Sequence, residues 1–373
     1  MRILQLAPLW ETVPPPAYGG TEAVVSVLCE ELVKQGHDVT LWASGDSVTS
    51  AELFSIYPRS LRTASDIADP GSYALMHAAL SLKDADSYDI IHNHIGETVM
   101  AMAHLVDTPM LTTMHCIVTP DTKFIWDHYP GWYNTISHSE KVLMPEVANK
   151  NYSGVVYNGI DVASFPYSEN KDDYLLFLSR VSPDKSPHLA VEVAKRLNRR
   201  LLIAGKVDPN PIDQAYFNDT LKPLIDGKNV QFLGEADAKM KRELFVHAYC
   251  LLLPLCWEEP FGLVMAEAMA CGTPVVSFRR GAASELIIHG ETGYLVDDLE
   301  EMIEATLKVD RIDPASCRRH MEANFGPENM ADGYLRVYEQ ILRKSSTTRP
   351  TLTTLTVAPP LERETAGKES AVA

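Results

Sequence analysis

No C-x-x-C pair occurs anywhere in the 373 residues, and Cys29, Cys116, Cys250, Cys256, Cys271 and Cys317 stand apart, several inside apolar runs. That spacing gives no disulfide framework and no zinc knuckle; it reads as reduced core cysteines of a cytoplasmic protein. Positive charge is scarce. Thirty-three Lys and Arg face 50 Asp and Glu, leaving a net charge of -17 and a pI near 5.1. This balance argues against nucleic acid and against broad docking on anionic lipid, both of which need clustered cations. Long apolar runs are missing too, since none approaches the roughly 20 residues that span a bilayer. The opening stretch MRILQLAPLW is short for a secretory leader, so the sequence predicts neither export nor membrane insertion. The dinucleotide fingerprint G-x-G-x-x-G is absent after the first apolar run, where LAPLWETVPPPAYGGTE stands, and no Walker motif occurs. A nicotinamide dehydrogenase and a P-loop enzyme lose their main support.

What remains is 46% hydrophobic and 22% charged, an ordinary globular balance with enough chain for two full cores. Short apolar runs alternate with amphipathic stretches throughout, which predicts an α/β chain of parallel sheets covered by helices. The pattern occurs twice. RILQLAP, DVTLWAS, YDIIHNH, PMLTTMHC, YNTISHS and SGVVYNG are strands of a first domain over 1–160. YLLFLS, RLLIAG, NVQFLG, CLLLPL, PVVSF and YLV are strands of a second domain over 161–326, with the turn-rich NGIDVASFPYSENKDD at the seam. A helix over 327–344 is long enough to reach back to the first domain, and the tail 345–373 has a disordered composition. Two Rossmann-like halves place a cleft between the carboxyl ends of their strands.

The residues able to do chemistry fall at those ends. Gly19-Gly20, before a helix starting near Thr21, lets bare N–H groups approach an anion, or simply makes a turn ahead of an N-cap Thr. Arg180 and Lys185, in the loop after YLLFLS, suit a diphosphate, or are two solvated surface charges. The helix Leu263–Cys271, opened by Pro260 and closed by Gly272, carries Glu267 on a face with Leu263, Val264, Ala270 and Cys271. An unpaired carboxylate there costs several kcal/mol unless protein or ligand donates to it. Glu259, eight residues earlier, lies beside Pro260-Phe261-Gly262, where it can hold sugar hydroxyls or favour the helix dipole.

In their order and spacing, YGGTE (18–22), TTMHC (112–116), YNGID (157–161), SRVSPDKSP (179–187), FLGE (232–235), EEPFGLVMAEAMACGTPVV (258–276) and HGETGYLV (289–296) resemble the retaining glycosyltransferases of family 4. The resemblance implies the GT-B fold and a nucleotide-sugar-binding site of Gly19, Gly20, Arg180, Lys185, Gly205, Glu259, Phe261, Gly262, Leu263 and Glu267. It assigns the diphosphate to Arg180 and Lys185, the ribose to Glu267, and the sugar to Glu259 with the Phe261 and Gly262 amides. His115 matches the family's active-site histidine and joins Arg180, Lys185 and Glu259 as a catalytic candidate. His92 is the kind of histidine that sits satisfied in a core, while Asn93 and His94 lie nearer the cleft. Lys206 departs from the family pattern, standing where a short neutral or acidic residue is common.

The family's reaction is front-face displacement, in which the acceptor hydroxyl gives its proton to the leaving phosphate. The expected enzyme is a hexosyltransferase using a nucleotide diphosphate sugar, with a UDP-sugar such as UDP-glucose favoured, and a small molecule or glycan as acceptor. No metal and no other cofactor is called for, because cationic side chains stabilise the leaving group. In the first domain, DTKFIWDHYPGWYN offers Trp126, Tyr129, Trp132 and Tyr133 either as a stacking platform for the acceptor or as packing of a long loop. Two alternatives use the same scaffold: a sugar-nucleotide epimerase and a non-catalytic nucleotide-sugar-binding protein.

Overall fold

The computed structural model describes residues 1–345; the expected disordered tail lies, past Ser345, outside the described residues. The alternating pattern folds into two wholly parallel sheets. The first contains β1 (Arg2–Leu6), β2 (Asp38–Trp42), β3 (Glu52–Phe54), β4 (Ile90–Asn93), β5 (Met110–Thr113), β6 (Trp132–Thr135) and β7 (Tyr152–Val155), in the order β3-β2-β1-β4-β5-β6-β7. The second contains β8 (Leu175–Leu178), β9 (Leu201–Ala204), β10 (Val230–Phe232), β11 (Cys250–Leu253), β12 (Val275–Phe278) and β13 (Gly293–Val296), in the order β10-β9-β8-β11-β12-β13. Every residue of β4, β5, β11, β12 and β13 is buried, as expected of strands covered on both faces.

Both sheets reverse their winding once, between β1 and β4 and between β8 and β11. Loops leaving such neighbouring strands run in opposite directions and open a crevice at their carboxyl ends. The loops that carry Gly19, His94, Arg180 and Glu259 all leave one of these four strands.

The helix Pro327–Ser345 buries Met330, Ala331, Tyr334, Val337, Tyr338 and Ile341, spaced three and four apart. They pack with Ile3, Val24, Val25 and Leu28 of the first domain, so the chain returns to its beginning.

Several local expectations differ. The helix after β1 starts at Gly20 with Gly19 as N-cap, so Thr21 lies inside it rather than capping it. Pro260 precedes the helix Leu263–Ala270 and Gly262 is its N-cap. The stretch GETVMAMAHLV, which the sequence pattern predicts as a helix, forms only the turn Glu97–Met100 and a 3-10 turn, Ala103–Leu105. Residues 120–128, read as loop, form the helix Pro120–His128, held at its start by a reciprocal Thr119–Thr122 capping box. The short edge strand β3 carries little apolar alternation and was not anticipated.

Candidate functional site

A cavity of about 660 Å³ opens between the two domains, lined by Gly19, Gly20, Arg180, Gly205, Leu263 and Glu267 among others. Its size is that of a small-molecule site. Leu263 closes one end, its Cδ1 lying 3.4 Å from where a Cβ on Gly20 would stand. Gly205 is required by close approach, since a Cβ there would lie 1.7 Å from the Ser179 carbonyl oxygen. Gly262 is required by both shape and space: its φ is +90°, and a Cβ would lie 2.1 Å from Met265 Cε.

Arg180 lines the cavity and is held by Asp184 at 3.2 Å and Asp208 at 3.8 Å. Lys185 stands outside the lining, buried, in a short ion pair with Glu259. Trp257 braces that pair: its Nε1–H donates to Glu259 Oε2 at 3.2 Å, and Lys185 Nζ sits 4.2 Å from its ring centroid. The structure therefore brings Lys185 and Glu259, expected at phosphate and sugar respectively, into direct contact. Phe261 is buried in the second domain's core, with its ring 6.4 Å from that of Tyr157.

Glu267 has a protein partner. Lys241, from the helix Ala238–His247, reaches Glu267 Oε1 at 2.6 Å, and both residues line the cavity. The buried carboxylate is thus matched inside the cleft rather than away from it. Beside Lys241 stands Arg242, whose Nε is buried without a hydrogen-bond partner among the described residues while its Nη2 lies 3.4 Å from Ser164 Oγ. Neither cation stood out in the sequence, because KMKRE looks like the solvated face of an amphipathic helix.

The long first loop is locked to both domains. Arg62 pairs with Glu11 at 2.6 Å and grips Glu235 of the second domain with bonds of 2.7 and 2.8 Å. The Ala238 N–H also donates to the Pro16 carbonyl at 3.0 Å. Tyr18 lies between cations, Lys206 Nζ at 5.2 Å and the Arg62 guanidinium at 5.9 Å from its ring centroid. Lys206, the departure from the family pattern, lines the cavity and is tied to Asp208 at 2.5 Å. Burial pushes Glu22, in the first turn of the helix Gly20–Lys34, up to about 7. Burial also raises the Glu11 carboxyl, against the pull of Arg62.

His115 follows β5 and lies outside the cavity lining, half-buried, with its Nε2 2.9 Å from His94 Nδ1. Burial lowers its pKa to about 4 and holds His92 and His94 well below the usual range, so all three are neutral at pH 7. His92 is satisfied in the core, between Tyr338 Oη and Thr113 Oγ1, each at 2.6 Å. Asn93 braces its own loop, accepting from the Ile95 N–H and donating to the Gly96 carbonyl.

The aromatic platform is not formed. Trp126, Tyr129 and Tyr133 are buried in the first domain's core. Trp126 Nε1 donates to Glu97 at 3.1 Å, and Tyr129 Oη donates to the Met110 carbonyl at 3.1 Å. Trp132 opens β6, at the strand end opposite the cleft, under Lys344. The helix Pro120–His128 buries Trp126, while Tyr129 follows its last turn and Tyr133 points into the core from β6. Among the described residues no cluster of three or more His, Cys, Asp or Glu is arranged to hold a metal ion, and no helix is long and apolar enough to cross a membrane.

Two facing parallel sheets of this winding, with a cavity between their strand ends and a last helix returning to the first, define the GT-B architecture. Residues 18–164 match Glycosyltransferase Family 4 and residues 162–314 match Glycosyl transferases group 1, and the chain belongs to these glycosyltransferases. A glycogen synthase of Mycobacterium tuberculosis is 27% identical over 87% of this chain and 89% of its own length. AviGT4, a glycosyltransferase involved in avilamycin A biosynthesis, superposes with a TM-score of 0.70 at 22% identity, over 92% of this chain and 98% of its own. The Anabaena protein Alr3699/HepE, solved in complex with UDP-glucose, superposes with a TM-score of 0.67 at 18% identity, over 93% of this chain and all of its own.

Proposed function

We propose that this glycosyltransferase moves a hexose from a nucleotide diphosphate sugar to a hydroxyl acceptor with retention of configuration. The observation that carries the reading is convergence: Gly19 and Gly20 of one domain face Arg180, Gly205 and Glu267 of the other across a single cavity at the switch points of both sheets. Arg180 and the glycine amides stabilise the leaving diphosphate, and Lys185 joins them when its contact with Glu259 opens. Glu267 takes the ribose hydroxyls, with Lys241 holding the carboxylate in place from the neighbouring helix. Glu259 and the amides of Phe261 and Gly262 hold the sugar. The acceptor proton passes to the leaving phosphate, so the step needs no second carboxylate nucleophile. The cations of the cleft take the place of a metal, and the six free cysteines suit a cytoplasmic setting.

UDP-glucose is the first donor to test, supported by its presence in the Anabaena neighbour. Thermal stabilisation by UDP-, GDP- and ADP-glucose, at about 100 times the dissociation constant, adds about 2.7 kcal/mol for a true ligand. Transfer assays with and without a hydroxyl acceptor, in EDTA, follow the product's anomeric proton by NMR. Acceptor-dependent release of the nucleotide with an α-linked product from an α-donor is expected. An inverted product, a requirement for metal, or turnover of the sugar nucleotide without acceptor would overturn the reading, the last in favour of an epimerase.

A further inference from the structure

A line of buried hydrogen bonds runs from β6 and β5, through β4, the last helix and β1, to His115. Its members are Asn134, Thr113, His92, Tyr338, Gln5 and His94, and each of these is wholly or almost wholly buried. Such a line has a direction, because every hydroxyl has one proton and every neutral imidazole one N–H.

The direction is fixed at its far end. Asn134 Nδ2 faces the Thr135 carbonyl at 3.2 Å, and a carbonyl only accepts, so Asn134 presents Oδ1 to Thr113 at 2.7 Å. Thr113 spends its one proton there. Its oxygen therefore accepts from Tyr334 Oη at 3.1 Å and from His92 Nε2–H at 2.6 Å. His92, neutral and protonated on Nε2, has a bare Nδ1, which accepts from Tyr338 Oη–H at 2.6 Å. Tyr338 in turn accepts from Gln5 Nε2 at 3.1 Å, which leaves Gln5 Oε1 to accept from His94 Nε2–H at 3.0 Å. His94 then has a bare Nδ1, and it accepts from His115 Nε2–H at 2.9 Å. The last ring in the line is left with a lone pair on Nδ1, for which the described residues offer no hydrogen-bond partner.

We infer that Tyr338, Gln5 and His94 are positioning residues that hold His115 as its Nε2–H tautomer, so that Nδ1 accepts a hydrogen bond from a substrate hydroxyl. The inference rests on the proposed transfer reaction for its ligand but not for its tautomer. A histidine turned the other way would present N–H, and the same hydroxyl could then only accept, with the bond reversed. The crossover helix thus sets which way the ring beside the cleft can bond, through Tyr338, 333 residues from Gln5 in the chain.

The test is long-range 1H–15N NMR of full-length protein carrying 15N-histidine, with the His115 signals identified by their loss in His115→Asn. Protonated Nε2 and unprotonated Nδ1 in the wild type are expected; Nδ1–H, or averaging between the two forms, overturns the inference whatever the variants do. In Tyr338→Phe the anchor at Gln5 and His92 is lost, and His115 is expected to show averaged tautomers. Turnover should then fall roughly 10- to 100-fold with KM for UDP-glucose changed little, the mark of lost positioning. His94→Gln, which keeps an acceptor for His115, should recover most of the turnover that His94→Leu loses. Unchanged NMR signals and turnover in a folded Tyr338→Phe would refute the coupling. Failure of UDP-, GDP- and ADP-glucose alike to bind the wild type would instead defeat the transfer reading while leaving the tautomer result standing.

Discussion

Lys241 and Glu267 come from different helices and meet at 2.6 Å inside the cavity. The pair matches a carboxylate that stands on an apolar helix face, the one the proposed function assigns to the ribose diol. Glu267→Gln is expected to fold normally and to weaken UDP-glucose binding roughly 10- to 100-fold, the loss of hydrogen bonds to a charged acceptor. Lys241→Met leaves the carboxylate unmatched but partly open to water, and should cost about 1–2 kcal/mol of stability. Calorimetric titration and chemical unfolding separate the two; equal donor affinity in Glu267→Gln and wild type would remove Glu267 from the site.

Arg180 and Lys185 should differ when removed. Arg180→Ala deletes a half-exposed cation and is expected to lower turnover about 10²- to 10³-fold with little change in melting temperature. Lys185→Ala should lose comparable activity and also melt earlier, since it strands Glu259 against Trp257. Steady-state kinetics beside thermal melts check this; a Lys185→Ala protein as active as wild type sinks the phosphate role.

Trp126 belongs to the core, so Trp126→Ala should cost about 3–5 kcal/mol of stability, as large aromatic truncations do. Acceptor KM measured on the folded fraction should not move. Trp132→Ala, at the strand end away from the cleft, should change neither quantity much.

Glu140 gives the molecule a pH dependence of known sign. Burial pushes its carboxyl up to about 8, one oxygen accepting from the Ile136 N–H and the other buried without a partner among the described residues. Between the ordinary carboxyl range and pH 8 the unfolded chain has released this proton and the native protein has kept it. Stability therefore falls as pH rises through that window, by at most about 1.4 kcal/mol per unit. Glu140→Gln should flatten the slope in urea titrations run from pH 5 to pH 8.5; an unchanged slope would place the dependence on other groups, such as Glu22.

The strands and the glycine and arginine loops were legible because each is a local pattern: an apolar run, a turn, a charge just past it. The helix Pro120–His128 was obscured by its aromatic density, although Thr119-Pro120 marks its start. What stayed hidden was everything built by long-range pairing. Lys185 and Glu259 are 74 residues apart, and Arg62 and Glu235 are 173 apart. Nothing local in KMKRE distinguishes the two cations that face the cavity from those that face water.

The return of the helix Pro327–Ser345 also orders events during synthesis. Gln5, His92 and Thr113 emerge early, yet their partners Tyr338 and Tyr334 arrive only after the whole second sheet has been made. At about 5–20 residues per second that delay is roughly tens of seconds. Through it Gln5 Nε2 and His92 Nδ1 of the nascent first domain wait for the one hydroxyl that joins them.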